Sequence, residues 1–339
     1  MATFYFNGAV DGNWNNLDNW WTNSGYSIQA SGLPTSSDNV IAVANINSSS
    51  SIPTVSNFTM ISSNLGISIN VTGMATLDGS INGYEDQETS ITFYGVINGN
   101  ATFNNGFNSV YGTVNEDVIF NSGAINEGFV DGNATFNQDS RNAGSITGDA
   151  TFNDTSINDP TGQNIVGGNA FFYGYSHNLG YQIPTVSGYS TFYEDSYNIG
   201  VLTDATFNDG SYNDTSGIIE EDATFNDIST NIGTITGNST FNDESYNNGT
   251  VTGNGTFNNN SINFGTVTVD ATFSGNSYNY NDGIITGNGT FNDGSYNSGT
   301  VTGNATFNNN SYNKKNIDGN ITINRKIVGI ANSDILGLI

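Results

Sequence analysis

Five aspartates at one repeated position are the residues whose type and spacing first suggest chemistry. Each follows a Phe-Asn pair directly, and together they are Asp154, Asp209, Asp227, Asp243 and Asp293. Paired carboxylates can hydrolyse glycosidic bonds, and stacked carboxylates can bind calcium. Because the spacing follows from a repeat, we expect no catalytic pair, which leaves a polysaccharide-degrading tailspike as a minor alternative. Structural calcium between Asp227 and Asp243 stays an open alternative, and no other cofactor is expected.

Other reactive residue types are scarce in this chain. It has no Cys and a single His, His177, which lies in the run FFYGYSHN and aligns with Tyr212 of FNDGSYN. That alignment predicts that His177 faces inward and packs in the core. Without Cys there is no disulfide and no thiolate metal site. We therefore expect a protein that is not an enzyme.

The charge of the chain restricts its partners. It has 31 acidic residues against 5 basic ones, a net charge of −26. Such a chain repels phosphate backbones and anionic membrane surfaces, so neither nucleic acid nor a membrane is an expected partner. No apolar run has the length of a membrane span, and the start MATFYFNGAVDGNW lacks the features of a standard secretory signal peptide.

A repeat of about 16 residues positions these side chains. The run GTFNDGSYNSGTVTGN at 289–304 recurs along the chain, and its Phe returns every 15 to 20 residues, most often every 16. The aligned positions are Phe103, Phe120, Phe136, Phe152, Phe172, Phe192, Phe207, Phe225, Phe241, Phe257, Phe273, Phe291, Phe307 and Ile323. Repeats of this kind are typical of solenoids, in which neighbouring coils bury a common core.

Within one coil the large apolar residues recur at steps of five, five and six, as in Phe291, Tyr296, Val301 and Phe307. A helix would require steps of three and four. Each apolar residue lies in a short triplet, and Gly, Asn and Asp separate the triplets as corner residues. The pattern predicts an all-β, triangular parallel β-solenoid with three short strands per coil. Phe, Tyr and Val or Ile are expected to face inward, and stacked Asn side chains to form ladders.

The two ends differ from the repeat. We predict an N-terminal cap or attachment segment with non-repeating strands at 1–70, a solenoid at 71–323, and a C-terminal cap or docking tail at 324–339. The first segment has all three Trp. The basic residues near the C-terminus make that region a candidate docking surface on an acidic chain, and they are Lys314, Lys315, Arg325 and Lys326.

The opening YFNGAVDGNWNNLDNWW…LPTSSDNVIA and the repeats of the form GNATFN…SYN.GTVTGN resemble repetitive β-solenoid proteins of bacteriophage virions and bacterial surfaces. The resemblance covers most of the chain. It implies a tail-fibre or capsid-associated role and a location in a virion or at an extracellular surface, with other virion or surface proteins as partners. It transfers no functional residue, because the matching positions belong to the scaffold.

Two surfaces depart from a plain scaffold. The first is an aromatic patch on two adjacent coils, in which Phe171 replaces the usual outward Thr, Tyr173 and Tyr193 replace the usual corner Asn, and Tyr175 and Tyr189 lie close by. Contiguous exposed aromatic residues mark contact surfaces, so a cell-surface glycan or a protein is the expected partner. The alternative is that insertions near Pro160 and Pro184 fold over these rings.

The second surface is a Thr face of Thr-x-Thr triplets, formed by Thr234, Thr236, Thr250, Thr252, Thr266, Thr268, Thr300 and Thr302. A flat Thr grid resembles the ice-binding face of insect antifreeze solenoids, although Thr is favoured on any strand surface. Ile284 and Glu220 interrupt the grid. We expect a non-catalytic structural or adhesive fibre or spacer, which could assemble as a homo-oligomer, with ice binding as the alternative function.

Overall fold

The computed structural model of the chain describes residues 2–43, 54–61, 65–68, 70–71, 75–78, 91–104, 109–159, 165–179, 186–315 and 317–324. The chain divides into two units, Met1–Thr203 and Asp204–Ile339. Each unit is a β-solenoid in which successive coils stack through parallel strands, with a usual repeat of 16 residues, as between Phe120 and Phe136 or Phe241 and Phe257. The predicted fold class is confirmed.

Each coil contributes to three sheets, which we call the Phe sheet, the Asn sheet and the Val sheet after residues that they turn inward. In the first unit, the Phe sheet has strands Thr3–Phe6, Trp20–Trp21, Asn39–Ala42, Asn57–Ile61, Ala75–Asp78, Ala101–Asn104, Val118–Phe120, Ala134–Phe136, Ala150–Phe152, Ala170–Phe172 and Tyr189–Phe192. The Asn sheet there has strands Leu65–Ser68, Ile91–Tyr94, Ser109–Val110, Ile125–Asn126, Arg141–Asn142, Ile157–Asn158, His177–Asn178 and Tyr197–Asn198. The Val sheet has strands Thr54–Val55, Asn70–Val71, Val96–Ile97, Thr113–Val114, Phe129–Val130 and Ser145–Ile146, and a further strand is Val201–Leu202.

The second unit repeats the same order. Its Phe sheet has strands Asp204–Phe207, Ala223–Phe225, Ser239–Phe241, Gly255–Phe257, Ala271–Phe273, Gly289–Phe291, Ala305–Asn308 and Ile321–Asn324. Its Asn sheet has strands Tyr212–Asn213, Thr230–Asn231, Tyr246–Asn247, Ile262–Asn263, Tyr278–Asn279, Tyr296–Asn297 and Tyr312–Asn313. Its Val sheet has strands Ile218–Ile219, Thr234–Ile235, Thr250–Val251, Thr266–Val267, Ile284–Ile285 and Thr300–Val301.

The Phe sheet supplies the main apolar column of each core. Strand residues alternate between faces, so Ser239 and Phe241 are buried while Thr240 points outward. The Phe rings of successive coils lie parallel, with centroids 4.9 Å apart for Phe225 and Phe241 and 4.8 Å for Phe241 and Phe257. The apolar column thus continues from coil to coil, as the repeat predicts.

The Asn sheet corrects one expectation about the core. Tyr was predicted to face inward, but Tyr246 is only half-buried, and Ser245 and Asn247 on either side of it are fully buried. The buried amides bond to each other between coils, since Asn231 Nδ2 donates to Asn247 Oδ1 at 2.8 Å. A continuous amide ladder satisfies buried polar groups that would otherwise carry a desolvation cost, so Tyr can take the outer position.

The corner after each Phe strand uses left-handed backbone. In the second unit two consecutive residues have positive φ there, for example Asp243 at 52° and Glu244 at 66°, or Asn259 at 52° and Asn260 at 67°. Asn and Asp tolerate this region, as the sequence pattern predicts. The repeated Gly after the Asn strand has another cause, because a Cβ at Gly249 would lie 2.1 Å from a backbone oxygen of the preceding coil.

Parallel stacking also reaches into the N-terminal segment. Thr3–Phe6 pairs in parallel with Asn39–Ala42, which pairs in parallel with Asn57–Ile61. Trp20–Trp21 pairs antiparallel to Thr3–Phe6, and the 3-10 turn Leu17–Asn19 precedes it. Trp20 is fully buried and its indole donates to the Trp14 carbonyl oxygen at 2.8 Å. In the described part of the chain, no helix combines the length and apolarity needed to cross a membrane.

Candidate contact surfaces

The aromatic patch lies on two successive coils of the first unit. Phe171 takes the outward position of its strand, between the buried Ala170 and Phe172. Strand register places it between Thr151 and Thr191, which occupy the same outward position in the neighbouring coils. A large apolar side chain therefore stands in an outward column that is otherwise Thr at this level, as the sequence comparison between coils indicates.

Tyr173 and Tyr193 occupy the corner that follows these two strands. Their rings are stacked, with centroids 4.8 Å apart and planes inclined by 2°. Burial, and then the neighbouring Tyr193 phenol, raises the pKa of Tyr173 above its ordinary value. The stacking covers one face of each ring, and both side chains are half-buried.

Tyr175 and Tyr189 are the accessible members of the patch. Each side chain is 63% exposed. Tyr189 is held at the start of its strand, where its backbone N–H donates to Asn169 Oδ1 at 2.9 Å. The most accessible ring surface of the patch is therefore that of Tyr175 and Tyr189. The predicted insertions at Pro160 and Pro184 lie outside the described residues.

His177 is placed differently from the prediction. It lies at the outward position of its Asn-sheet strand, half-buried, and the buried neighbour is Asn178. Its ring stacks on Tyr197 at a centroid distance of 4.7 Å and an interplanar angle of 7°. Burial lowers the pKa of His177, against the opposing effects of the Tyr175 carbonyl and Asp159. The expected inward orientation is wrong because the Asn amide ladder occupies that side.

The Thr face lies on the Val sheet of the second unit. The first Thr of each triplet is half-buried and the second is exposed. The second hydroxyl is engaged within the protein: Thr252 Oγ1 donates to the Thr236 carbonyl oxygen at 2.7 Å, and Thr268 Oγ1 to that of Thr252 at 2.8 Å. Thr302 donates in the same way to Thr286. These hydrogen bonds link neighbouring coils, so the hydroxyl protons of these Thr residues are not free to bind a ligand.

Aliphatic residues interrupt the Thr face in the structure. Ile218 lies in register with Thr234, and Ile284 lies between Thr266 and Thr300. A longer Thr row, which the sequence comparison did not single out, follows the outward position of the Phe sheet in the second unit. It consists of Thr206, Thr224, Thr240, Thr256, Thr272, Thr290, Thr306 and Thr322.

The candidate docking cations are partly described. Lys314 and Lys315 are exposed, while Arg325 and Lys326 lie outside the described residues. The Lys314 ammonium lies 4.9 Å from the ring centroid of Tyr296 and 5.6 Å from that of Tyr312. Lys315 Nζ donates to the Asn281 carbonyl oxygen at 3.1 Å.

The repeated aspartates line a corner rather than a cleft. Asp227 and Asp243 border an open depression of about 310 Å³, and Asn259 Nδ2 donates to Asp243 Oδ1 at 2.9 Å. Within the described ranges, no group of three or more His, Asp or Glu side chains is arranged to hold a metal ion. Asp227 and Asp243 thus follow each other in consecutive coils, and the Asn259 amide of the next coil bonds to the second of them.

Sequence reasoning missed an outer row of aromatic residues on the Asn sheet of the second unit, because it assigned those Tyr residues to the core. The signal that could have revealed it is the residue after each Asn, which is large or charged in several coils, as in Phe264, Tyr280 and Lys314. No protein-family model, no curated protein and no solved structure matches this chain.

Proposed function

We propose that this protein is a non-catalytic structural component of a virion or cell-surface fibre, and that its aromatic patch binds a neutral glycan. The observation that carries the proposal is the local break in the repeat, where Phe171 takes a position that is Thr in both neighbouring coils, and Tyr173 and Tyr193 take a corner position that is Asn in most other coils. A scaffold position needs no such change, so the cluster points to a contact.

The chemistry of the patch favours carbohydrate. Tyr175 and Tyr189 offer exposed rings with hydroxyl groups, and Tyr173 and Tyr193 add a stacked, half-buried pair of rings on the same two coils. Aromatic rings pack against the C–H faces of sugars, and phenol hydroxyls can hydrogen-bond to sugar hydroxyls. The net charge of −26 disfavours polyanionic chains, so the glycan should be neutral.

The repeat itself provides the test variants. Tyr175→Thr and Tyr189→Asn restore the residues found at the equivalent places, Thr155 and Asn169, of the preceding coil. We expect the double variant to fold normally and to lose about tenfold or more of its affinity in an array of neutral glycans, because both exposed anchors are gone. Ile119→Thr is the matched control, since Ile119 is 42% exposed at an outward Phe-sheet position of the same unit.

The stacked pair supplies a second variant. Tyr173→Ala combined with Tyr193→Ala should also weaken binding, because these rings support the patch from one side. Equal binding by the wild type and both double variants would remove the patch as the binding surface. Binding of no neutral glycan by the wild type would refute the proposed ligand class.

A further inference from the structure

A second surface, which we call the aromatic face, lies on the outside of the Asn sheet of the second unit. Its first column follows the strand register and consists of Tyr212, Thr230, Tyr246, Ile262, Tyr278, Tyr296 and Tyr312. Its second column contains the residue after the Asn of each of these strands, and consists of Asp214, Ile232, Asn248, Phe264, Tyr280, Ser298 and Lys314. From Ile232 onward, each backbone N–H in the second column donates to the buried Asn of the preceding coil, which fixes the column.

The two columns form one surface. The Phe264 ring lies 6.3 Å from the Tyr246 ring and 5.1 Å from the Tyr280 ring, measured between centroids. Tyr296 stacks on Tyr312 at 5.1 Å, and the Lys314 ammonium lies over both rings. Ile232, Tyr280 and Tyr312 are 37%, 39% and 45% exposed, so the face presents apolar side chains to its surroundings.

Charge on the aromatic face is confined to its two ends. Asp214 begins the second column and Lys314 ends it, and the five residues between them are uncharged. The only salt bridge among the described residues joins Arg141 and Asp159, at 2.5 Å, so Lys314 has no carboxylate partner within that part of the chain. On a chain with a net charge of −26, this face is a neutral strip with opposite charges at its ends.

We propose that the aromatic face binds the aromatic face of a second copy of this chain in an antiparallel, two-fold symmetric dimer. A two-fold axis that lies in the interface and crosses the columns at right angles places each column over itself in reverse order. Asp214 of one copy then meets Lys314 of the other, twice by symmetry, and Phe264 in the middle of the column meets its own copy. Such self-complementarity is what a two-fold interface requires.

The parallel arrangement lacks this match. A two-fold axis along the coil stack would place the first column over the second without reversing the order, so Lys314 would face Tyr312 and Asp214 would face Tyr212. Neither contact pairs opposite charges, whereas the antiparallel register pairs both. The aromatic and aliphatic residues between the ends are of the types enriched at interface centres.

The size of the face sets the expected strength. Seven strands at a spacing of roughly 4.8 Å make the face about 30 Å long. Because it is only two columns wide, the area that it can bury is at the small end for specific interfaces. We therefore expect a dimer that dissociates on dilution rather than a permanent one. The dimer uses residues of the second unit only, so it is independent of the glycan-binding proposal, and either one can fail alone.

Charge exchange on the full-length protein tests the proposed register. Sedimentation equilibrium should show a wild-type dimer, and Lys314→Asp or Asp214→Lys alone should weaken it about tenfold or more, because each places two like-charged pairs across the interface. The double variant, Asp214→Lys with Lys314→Asp, exchanges both charges and should restore the wild-type dissociation constant. Glu220→Lys changes the net charge as much as Asp214→Lys does, but lies on the Val-sheet side, and should have little effect.

A second variant tests the centre of the face. If the faces meet, Phe264→Asp places two carboxylates against each other at the centre of the interface, so it should abolish the dimer while circular dichroism stays that of the wild type. A wild-type protein that is monomeric at all accessible concentrations would overturn the proposal. So would a dimer that tolerates either charge reversal, or a double variant that fails to recover. A dimer weakened by Phe264→Asp but indifferent to the charge exchange would overturn the antiparallel register.

Discussion

Asn247 and Asn263 lie in consecutive coils of the second unit, and the Asn247 side-chain amide donates to Asn263 Oδ1 at 2.8 Å. Both side chains are fully buried. Asn247 Oδ1 in turn accepts from Asn231 Nδ2 at 2.8 Å, so each amide serves two neighbours. This ladder, rather than buried Tyr, forms the inner side of the Asn sheet. Because the Asn side chains point inward, the neighbouring Tyr side chains point outward and form part of the surface.

Removal of one member should break the ladder in both directions. Asn247→Ala leaves a buried donor on Asn231 and a buried acceptor on Asn263 without their partners, and we expect a loss of about 2–4 kcal/mol in the free energy of unfolding. Urea denaturation followed by circular dichroism measures this loss. Asn248→Ala, at the exposed next position, is the matched control and should change stability by about 0.5 kcal/mol or less. Similar values for the two variants would contradict the buried ladder.

The Phe column should be equally intolerant of truncation. Phe241→Ala leaves a cavity between the stacked rings of Phe225 and Phe257, and we expect a cost of about 3–5 kcal/mol. Thr240→Ala, on the outward side of the same strand, should cost about 1 kcal/mol or less. Thermal and urea unfolding of both variants provide the comparison. A tolerated Phe241→Ala would mean that this column is not the core.

His177 should make the stability of its unit depend on pH. Burial lowers its pKa in the folded protein. The unfolded chain, with a His pKa of about 6.5, therefore takes up its proton at higher pH than the folded protein does, so stability should fall as pH drops through that value. His177→Tyr keeps a ring that can stack on Tyr197 and removes the titration. Between about pH 7.5 and 5.5, the wild type should lose more stability than this variant, and equal losses would contradict the assignment.

The Thr face leads to a prediction about ice. Its exposed hydroxyls at Thr252 and Thr268 donate to backbone carbonyl groups, and Ile218 and Ile284 interrupt the first column. We expect no thermal hysteresis from the purified protein in a nanolitre osmometer. Measurable hysteresis that disappears in Thr252→Val would show that the interrupted face nevertheless binds ice.

The sequence predicts most of the fold because its repeat has a simple physical basis. Phe241 and Val251 recur at the coil period with Asn, Asp and Gly between them, and only stacked parallel strands bury both columns at once. The left-handed corner at Asn259 and Asn260 follows from the same composition. The coils from Phe207 to Phe225 and from Phe273 to Phe291 are two residues longer than usual. Their turns lie at corners, where Gly217 and Gly283 close them through backbone hydrogen bonds.

The orientation of the Tyr-Asn strand could not be predicted in the same way. In a dipeptide such as Tyr246-Asn247, hydrophobicity favours a buried Tyr, and a single coil gives Asn no buried partner. The amide ladder exists only when coils stack, so its stabilisation is a property of the array. The aromatic face was missed for the same reason, whereas the patch at Tyr173 and Tyr193 was found because it breaks the repeat.

Cysteine labelling tests this orientation most directly, because the chain has no Cys of its own. Tyr246→Cys and Asn247→Cys place single thiols at adjacent positions, and their reaction with a water-soluble thiol reagent can be followed in dilute protein. The structure predicts rapid labelling at position 246, and labelling at position 247 only when the chain unfolds. Rapid labelling at 247 with protection at 246 would show that Tyr faces the core, and would contradict both the buried amide ladder and the aromatic face.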